Sequence, residues 1–245
     1  MHPINRLVGK TGYFIKNARS SYLDFDSLVL SLSQRKGRLN FVQIGANDGV
    51  TADPIYHLLP MVSEPVRGLL IEPVTEYFNE LSNNYSKYRG IDVLRTAIHP
   101  TARHLTIFFP SVLSRQNSGL LAKGIASADP EHWRKSSYLQ DESELDSEVV
   151  PALSINRLLE TIDWPVDLLL VDTEGMDFEI LMDLDLAKFQ IEVIRFEHGL
   201  KDAIMTPAEV RRLVQKLNEN DFQVFLEPYD GVAVKLDTQS LVESQ

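Results

Sequence analysis

The chain has 245 residues, 44% hydrophobic and 24% charged, which is the composition of an ordinary globular protein with material for a sizeable core. A formal net charge of −11 and a pI near 5.0 argue against a broad basic face, and so against nucleic acid or an anionic membrane as partner. The absence of cysteine rules out disulfides, thiolate metal ligands and cysteine nucleophiles.

The opening stretch MHPINRLVGKTGYF lacks the continuous apolar centre of a signal peptide. No apolar run approaches the roughly 20 residues of a membrane span, so the cytoplasm is the expected location. Residues 1–38 read as an N-terminal extension in which SSYLDFDSLVLSLSQRKG forms a helix stopped by Gly37. Residues 39–245 read as the main domain.

Within that domain LNFVQI is a short apolar strand, and TADPIYHLLP reads as a helix ending before Pro60. VRGLLIEP is a second strand, VTEYFNELSNNYSKY a helix, IDVLRTAI a third strand and HLTIFFP an extra one. Residues 111–150 break the alternation. They are polar, carry Gly119, Gly124 and Pro130, and end in an acidic run (Asp141, Glu142, Glu144, Asp146, Glu148) expected to be solvated. VDLLLVD, MDFEILMDL and IEVIRFEH then resume the strand–helix–strand pattern. TPAEVRRLVQKLNEN is a helix capped by Thr206 with Pro207 at its first position. FQVFLEPYDGVAVKL closes the chain as a hairpin. The whole predicts an α/β fold: a mainly parallel sheet covered by helices on both faces, with one antiparallel strand from the last hairpin.

The stretch FVQIGANDGV raises the functional question, because a buried strand ends in Gly45-Ala46-Asn47-Asp48-Gly49. A strand, a glycine-rich turn and a helix together bring backbone N–H groups to the carboxyl edge of a sheet, where nucleotides bind. The second strand ends in Glu72, where a carboxylate can accept hydrogen bonds from both hydroxyls of a ribose. Two cofactors contain that ribose. A dinucleotide asks for G-x-G-x-x-G, whereas this turn is G-x-N-x-G with the acidic Asp48 added. The cationic S-adenosyl-L-methionine therefore suits it better than NAD. Ala97, at the end of the third strand, is a candidate neighbour of the adenine ring. An NAD-linked oxidoreductase and a non-catalytic binding module remain the alternatives.

With IGANDG, IEP and LLLVDTEGMDFEIL, the chain resembles the FkbM-type methyltransferases from about residue 40 to residue 236. The resemblance implies a class I Rossmann-like methyltransferase fold, S-adenosyl-L-methionine as cofactor, and methyl transfer mostly to oxygen. It implies cofactor contacts from Gly45, Ala46, Asn47, Gly49 and Glu72, and makes VDTEG the family's D-x-E-G signature. Gln43 stands where the family usually has an acid. On chemistry, Asp172 and Glu174 follow the fourth main strand, and His198 follows the fifth with Glu197 beside it. His198 is the expected general base, oriented by Asp172 or Glu174, with Asp172 also free to hold the cofactor's amino group. No metal is expected, since no histidine pair has ligand spacing. The acceptor is expected to be a small molecule or a glycan, with His132-Trp133 and Asn117-Ser118-Gly119 in reach of it.

Overall fold

The computed structural model describes residues 23–118, 124–135, 139 and 141–236. Residues 1–22 of the expected extension, Gly119, and residues 237–245 lie outside them. Helix α1 (Phe25–Lys36) starts at Asp24, whose carboxylate accepts the Ser27 amide, and stops at Gly37 with φ +64°. Val29, Leu30 and Leu32 bury one side of it. Its C-terminal end is tied to the sheet by Arg35 and Lys36 against Glu192 and by Arg38 against Asp167.

Seven strands form the main sheet: β1 (Leu39–Ile44), β2 (Val66–Ile71), β3 (Ile91–Leu94), β7 (Leu168–Val171), β8 (Val193–Glu197), β9 (Phe222–Leu226) and β10 (Asp230–Lys235). Their order is β3-β2-β1-β7-β8-β10-β9, with β10 antiparallel to both its neighbours. Side chains alternate across it. Val42, Ile44, Leu169 and Val171 pack with α4 (Ile155–Glu160), α5 (Asp177–Asp183) and α6 (Pro207–Glu219). Leu39, Phe41, Leu168 and Leu170 pack on the other face with α1 and α2 (Thr75–Tyr85). Each such fully buried apolar side chain stabilises by about 1.5–3 kcal/mol relative to exposure. Thr206 and Glu209 form a reciprocal cap on α6, with Pro207 at its start.

Register positions the site. Ile44 pairs with Ile71 on one side and with Val171 on the other, so β1, β2 and β7 end level. Gly45, Glu72 and Asp172 consequently leave the sheet along one edge, where the strand order reverses between β1 and β7.

A second sheet, β4-β6-β5, stands beside this edge, made of β4 (Ala97–Ile98), β5 (His104–Pro110) and β6 (Leu145–Leu153). The expected third strand is therefore broken. Arg95 pairs with Glu148 of β6 and the Thr96 hydroxyl donates to the Pro151 carbonyl, which carries Ala97 into parallel pairing with Ala152. The acidic run is only partly solvated: Glu148 takes Arg95 and the amide and hydroxyl of Thr75. Between β5 and β6 lie α3 (Val112–Ser118), which Asn117 and Ser118 end, and a short 3-10 turn at His132–Lys135.

The helix expected over TADPIYHLLP is absent, replaced by turns. The Asp48 carboxylate accepts the amides of Val50 and Thr51, and the Asp53 carboxylate those of Ile55 and Tyr56. Such local acceptors compete with helical pairing. Ile55, Leu58 and Leu59 still fill the core as a helix face would. Among the described residues no helix is long and apolar enough to cross a membrane.

Gly45 offers a test of this architecture. A Cβ there would stand 1.7 Å from the Asp172 carbonyl oxygen, whereas one on Gly37 meets nothing within 4 Å, and both residues have positive φ. Gly37→Ala should cost about 1 kcal/mol for the left-handed backbone alone. Gly45→Ala should cost about 3 kcal/mol or more, because β1 and β7 must separate. Urea denaturation of the two variants measures the difference; equal costs would contradict the strand contact.

Candidate active site

Gly45, Ala46, Asn47, Glu72, Ala97, Asp172 and Glu174 all line one cleft at the carboxyl edge of the sheet. Gly49 does not. Its Cα faces α2, where an added Cβ would come within 2.5 Å of Leu81 and Tyr85, so it serves packing.

The glycine turn is closed on itself. The amides of Gly45 and Ala46 both donate to the Ile71 carbonyl, and that of Asn47 to Glu72 Oε2 at 2.8 Å. The Asp48 amide goes to Asn47 Oδ1, that of Gly49 to the Ala46 carbonyl, and those of Val50 and Thr51 to Asp48 Oδ1. Every backbone N–H from Gly45 to Thr51 is thus committed, and no helix N-terminus follows. A pyrophosphate would find none of the donors it needs. Asp48 is itself spent on this turn and does not line the cleft, so its charge does not face a ligand. Asn47 takes its expected left-handed backbone, φ +50°.

Glu72 sits at the edge of this turn, 4% exposed, with its second oxygen accepting the Val74 amide at 2.9 Å. Burial pushes its carboxyl up to about 7, against the pull of the Val74 and Asn47 amides. Two fixed oxygens with lone pairs to spare suit a vicinal diol. Ala97, Ile98, Leu105, Ile107 and Ala126 add apolar lining to the same cleft, of the polarity an aromatic ring requires.

At the other end the carboxylate oxygens of Asp172, Glu174 and Glu197 lie within 4.8 Å of one another. The Asp172 side chain is open to the cleft, yet the protein packed around it and the nearby Asp177 push its carboxyl up to about 7. Desolvation, then Asp172 and Asp177, raises Glu197 to about 9, and desolvation with Asp172 and Glu197 holds Glu174 well above the usual range. Asp177 lies beneath them, wholly buried, accepting the Thr173 amide and hydroxyl and the Glu197 amide. Among the described residues no lysine, arginine or histidine lines the cleft. The trio is spaced as ligands of a divalent cation would be.

His198 is not part of this group. It is 1% exposed, its Nε2 donates to the Glu227 carbonyl at 2.9 Å and its Nδ1 accepts the Leu200 amide at 3.2 Å. Both ring nitrogens are occupied in holding the β8 and β9–β10 loops together, and the ring does not line the cleft. The histidine that reaches the acids is His132, 3% exposed, with Nε2 2.8 Å from Glu174 Oε2. Burial, reinforced by Lys135, lowers its pKa to about 4, so it is neutral at physiological pH. Its segment is fixed from both sides. Ser127 exchanges backbone hydrogen bonds with Phe108 of β5, and the Ser127 hydroxyl donates to the Glu174 carbonyl at 2.6 Å. Glu174 is held with φ +53°. The sequence places His132 in reach of the acceptor, but no periodicity or spacing ties it to Glu174; only the long-range fold brings the two together. Asp53 was hidden in the stretch that reads as a helix.

These residues fit S-adenosylmethionine. A diol acceptor, an apolar pocket and an acidic end occur in one cleft, and Gln43 beside them keeps a buried Oε1 with no partner.

The model of the methyltransferase FkbM domain matches residues 43–224, well over half of the chain. No curated protein matches. Among solved structures, the O-methyltransferase from Bacillus cereus in complex with SAH is 12% identical, with 89% of this chain and 84% of that one covered at a TM-score of 0.46. Cofactor-bound Rv0187 from MTB is 10% identical over 94% and 88% at 0.47. Precorrin-6y C5,15-methyltransferase from Geobacter metallireducens GS-15 is 12% identical over 92% and 95% at 0.44. These three likenesses are too distant to carry weight beside the family match. The chain belongs to the FkbM methyltransferase domain family and is an S-adenosylmethionine-dependent methyltransferase.

Proposed function

We propose that this methyltransferase acts in the cytoplasm on a hydroxyl group of a small molecule or glycan, with the nucleoside of its cofactor gripped through the ribose by Glu72. The observation that supports it best is the pairing, in one cleft, of a fixed diol-accepting carboxylate with a distant cluster of high-pKa acids. S-adenosylmethionine supplies an electrophilic methyl group on a positively charged sulfur. The acidic end of the cleft favours that charge. Glu174, its proton affinity raised and its orientation held by His132 and the 124–135 segment, would take the proton that the acceptor hydroxyl loses as the carbon–oxygen bond forms and the methyl–sulfur bond breaks to leave neutral S-adenosylhomocysteine. A second reading, in which the trio holds a divalent cation that binds the acceptor, is favoured by the 4.8 Å spacing.

Calorimetric titration tests the cofactor site. S-adenosylhomocysteine should bind and NAD should not. Glu72→Gln, which preserves shape, should weaken the former about 10-fold or more through loss of a charged acceptor. Undiminished affinity would sink the ribose assignment. Turnover with radiolabelled methyl donor and an acceptor panel should leave the label in an alkali-stable ether.

The acids also set a pH dependence. As pH rises through about 7 for Asp172 and about 9 for Glu197, these groups lose protons and the cleft becomes more negative. Affinity for cationic S-adenosylmethionine should therefore rise over that window more steeply than affinity for S-adenosylhomocysteine, whose sulfur is neutral. Titrations in buffers of different ionisation enthalpy should report more protons released with the former. Parallel pH profiles would show that the trio does not sense the sulfonium.

Glu174→Gln should lower kcat by about 10²- to 10⁴-fold while changing little the affinity for S-adenosylhomocysteine, whose sulfur is neutral. Wild-type activity should persist in excess chelator; loss restored by added magnesium would establish the cation reading instead.

A further inference from the structure

Gln43 is the last inward-facing residue of β1 before Ile44, 4% exposed, and it lines the cleft. Its Nε2 donates to Asp53 Oδ2 at 2.8 Å, and its Oε1 has no partner. The amide orientation follows from chemistry, because an ionised carboxylate can only be met by the donor end. Asp53 lines the same cleft. One of its oxygens, Oδ1, is used on the amides of Ile55 and Tyr56, while Oδ2 receives only Gln43.

Two acceptors therefore face one cavity with nothing between them to donate. Among the described residues no Lys, Arg or His lies within ion-pair distance of the Asp53 carboxylate; His57, four residues on, acts on it electrostatically but is itself paired with Asp26. The other charged groups that line the cleft, Glu72, Asp172 and Glu174, are also acids, and Asp172 acts on Asp53 directly. A buried carboxylate and an orphaned amide oxygen are costly unless a donor completes them. Protein donors are absent at this point, so the donor belongs to the ligand. It must carry several N–H bonds and a positive charge, which describes a primary ammonium.

We propose that Gln43 Oε1 and Asp53 Oδ2 together bind the α-ammonium group of the cofactor's amino-acid portion, Gln43 acting as a fixed spacer that extends the charge of Asp53 to the floor of the cleft. This rests on the reading of the cleft as an S-adenosylmethionine site. Burial raises the Asp53 pKa, which is the state expected of a carboxylate that lacks its cation. The acid that recognises the amine is thus carried by the turn after β1, and the strand supplies a neutral relay.

Binding of two ligands that differ by one group isolates the subsite: S-adenosylhomocysteine and its deamino analogue, in which hydrogen replaces the ammonium. 5′-Methylthioadenosine, which lacks the amino-acid portion, reports on the nucleoside site. The wild type should prefer S-adenosylhomocysteine over the deamino analogue by about 10- to 100-fold. Asp53→Asn should reduce that preference to about threefold or less while leaving methylthioadenosine affinity within about twofold. Gln43→Met, which keeps shape and removes the polar atoms, should reduce the preference as well. A preference that survives Asp53→Asn overturns the proposal. So does an equal loss for all three ligands, which would assign Asp53 only to the turn it caps. If the wild type binds neither S-adenosylhomocysteine nor methylthioadenosine, it is the cofactor site itself that has failed.

Discussion

The site depends on how closely β1 approaches the loop after β7. Gly45 passes the Asp172 carbonyl with no room for a single methyl group. That approach brings the end of β1 level with the ends of β2 and β7, and sets Glu72 on one flank and the Asp172–Glu174–Glu197 acids on the other. A glycine that looks made for a ligand is required first by the protein's own backbone. The crevice this contact creates is the cleft that Glu72 and the acids line.

The turn that follows differs from a phosphate-binding loop in a way that decides the chemistry. Its amides are consumed internally, by Ile71, Glu72, Asn47, Ala46 and Asp48, so it presents side-chain acceptors in place of backbone donors. Gln43, Asp53, Glu72, Asp172 and Glu174 all face the cleft, and no basic residue does among those described. A ligand rich in donors and carrying positive charge is complementary to that surface. One bearing phosphates is repelled by it.

Much of this was legible in the sequence, and the exceptions share a cause. The apolar strands, Gly37, Thr206 with Pro207, and the closing hairpin are local signals with local physics, and the structure carries them as read. TADPIYHLLP has helical apolar spacing yet folds as turns, because Asp48 and Asp53 capture the amides first. Ala97 keeps its place at the cleft although its strand belongs to a second sheet, since only Arg95 and Glu148, far apart in sequence, impose the break. His198 had the right address and the wrong direction; its satisfied nitrogens are visible only in three dimensions. His132 lay in a polar stretch without periodicity, where pairing of Ser127 with Phe108 is the information that positions it.

That last pairing has a consequence for how the enzyme can diversify. The segment 124–135, which lines the cleft, is stitched to Glu174 through the Ser127 hydroxyl and the His132 ring. The shape of the cleft wall and the placement of the buried acid are consequently not separable here. Grafting a foreign loop between β5 and β6 to reshape the cleft would also release Glu174 from its partners, so a new lining keeps the acid in place only where the loop rebuilds the same two tethers.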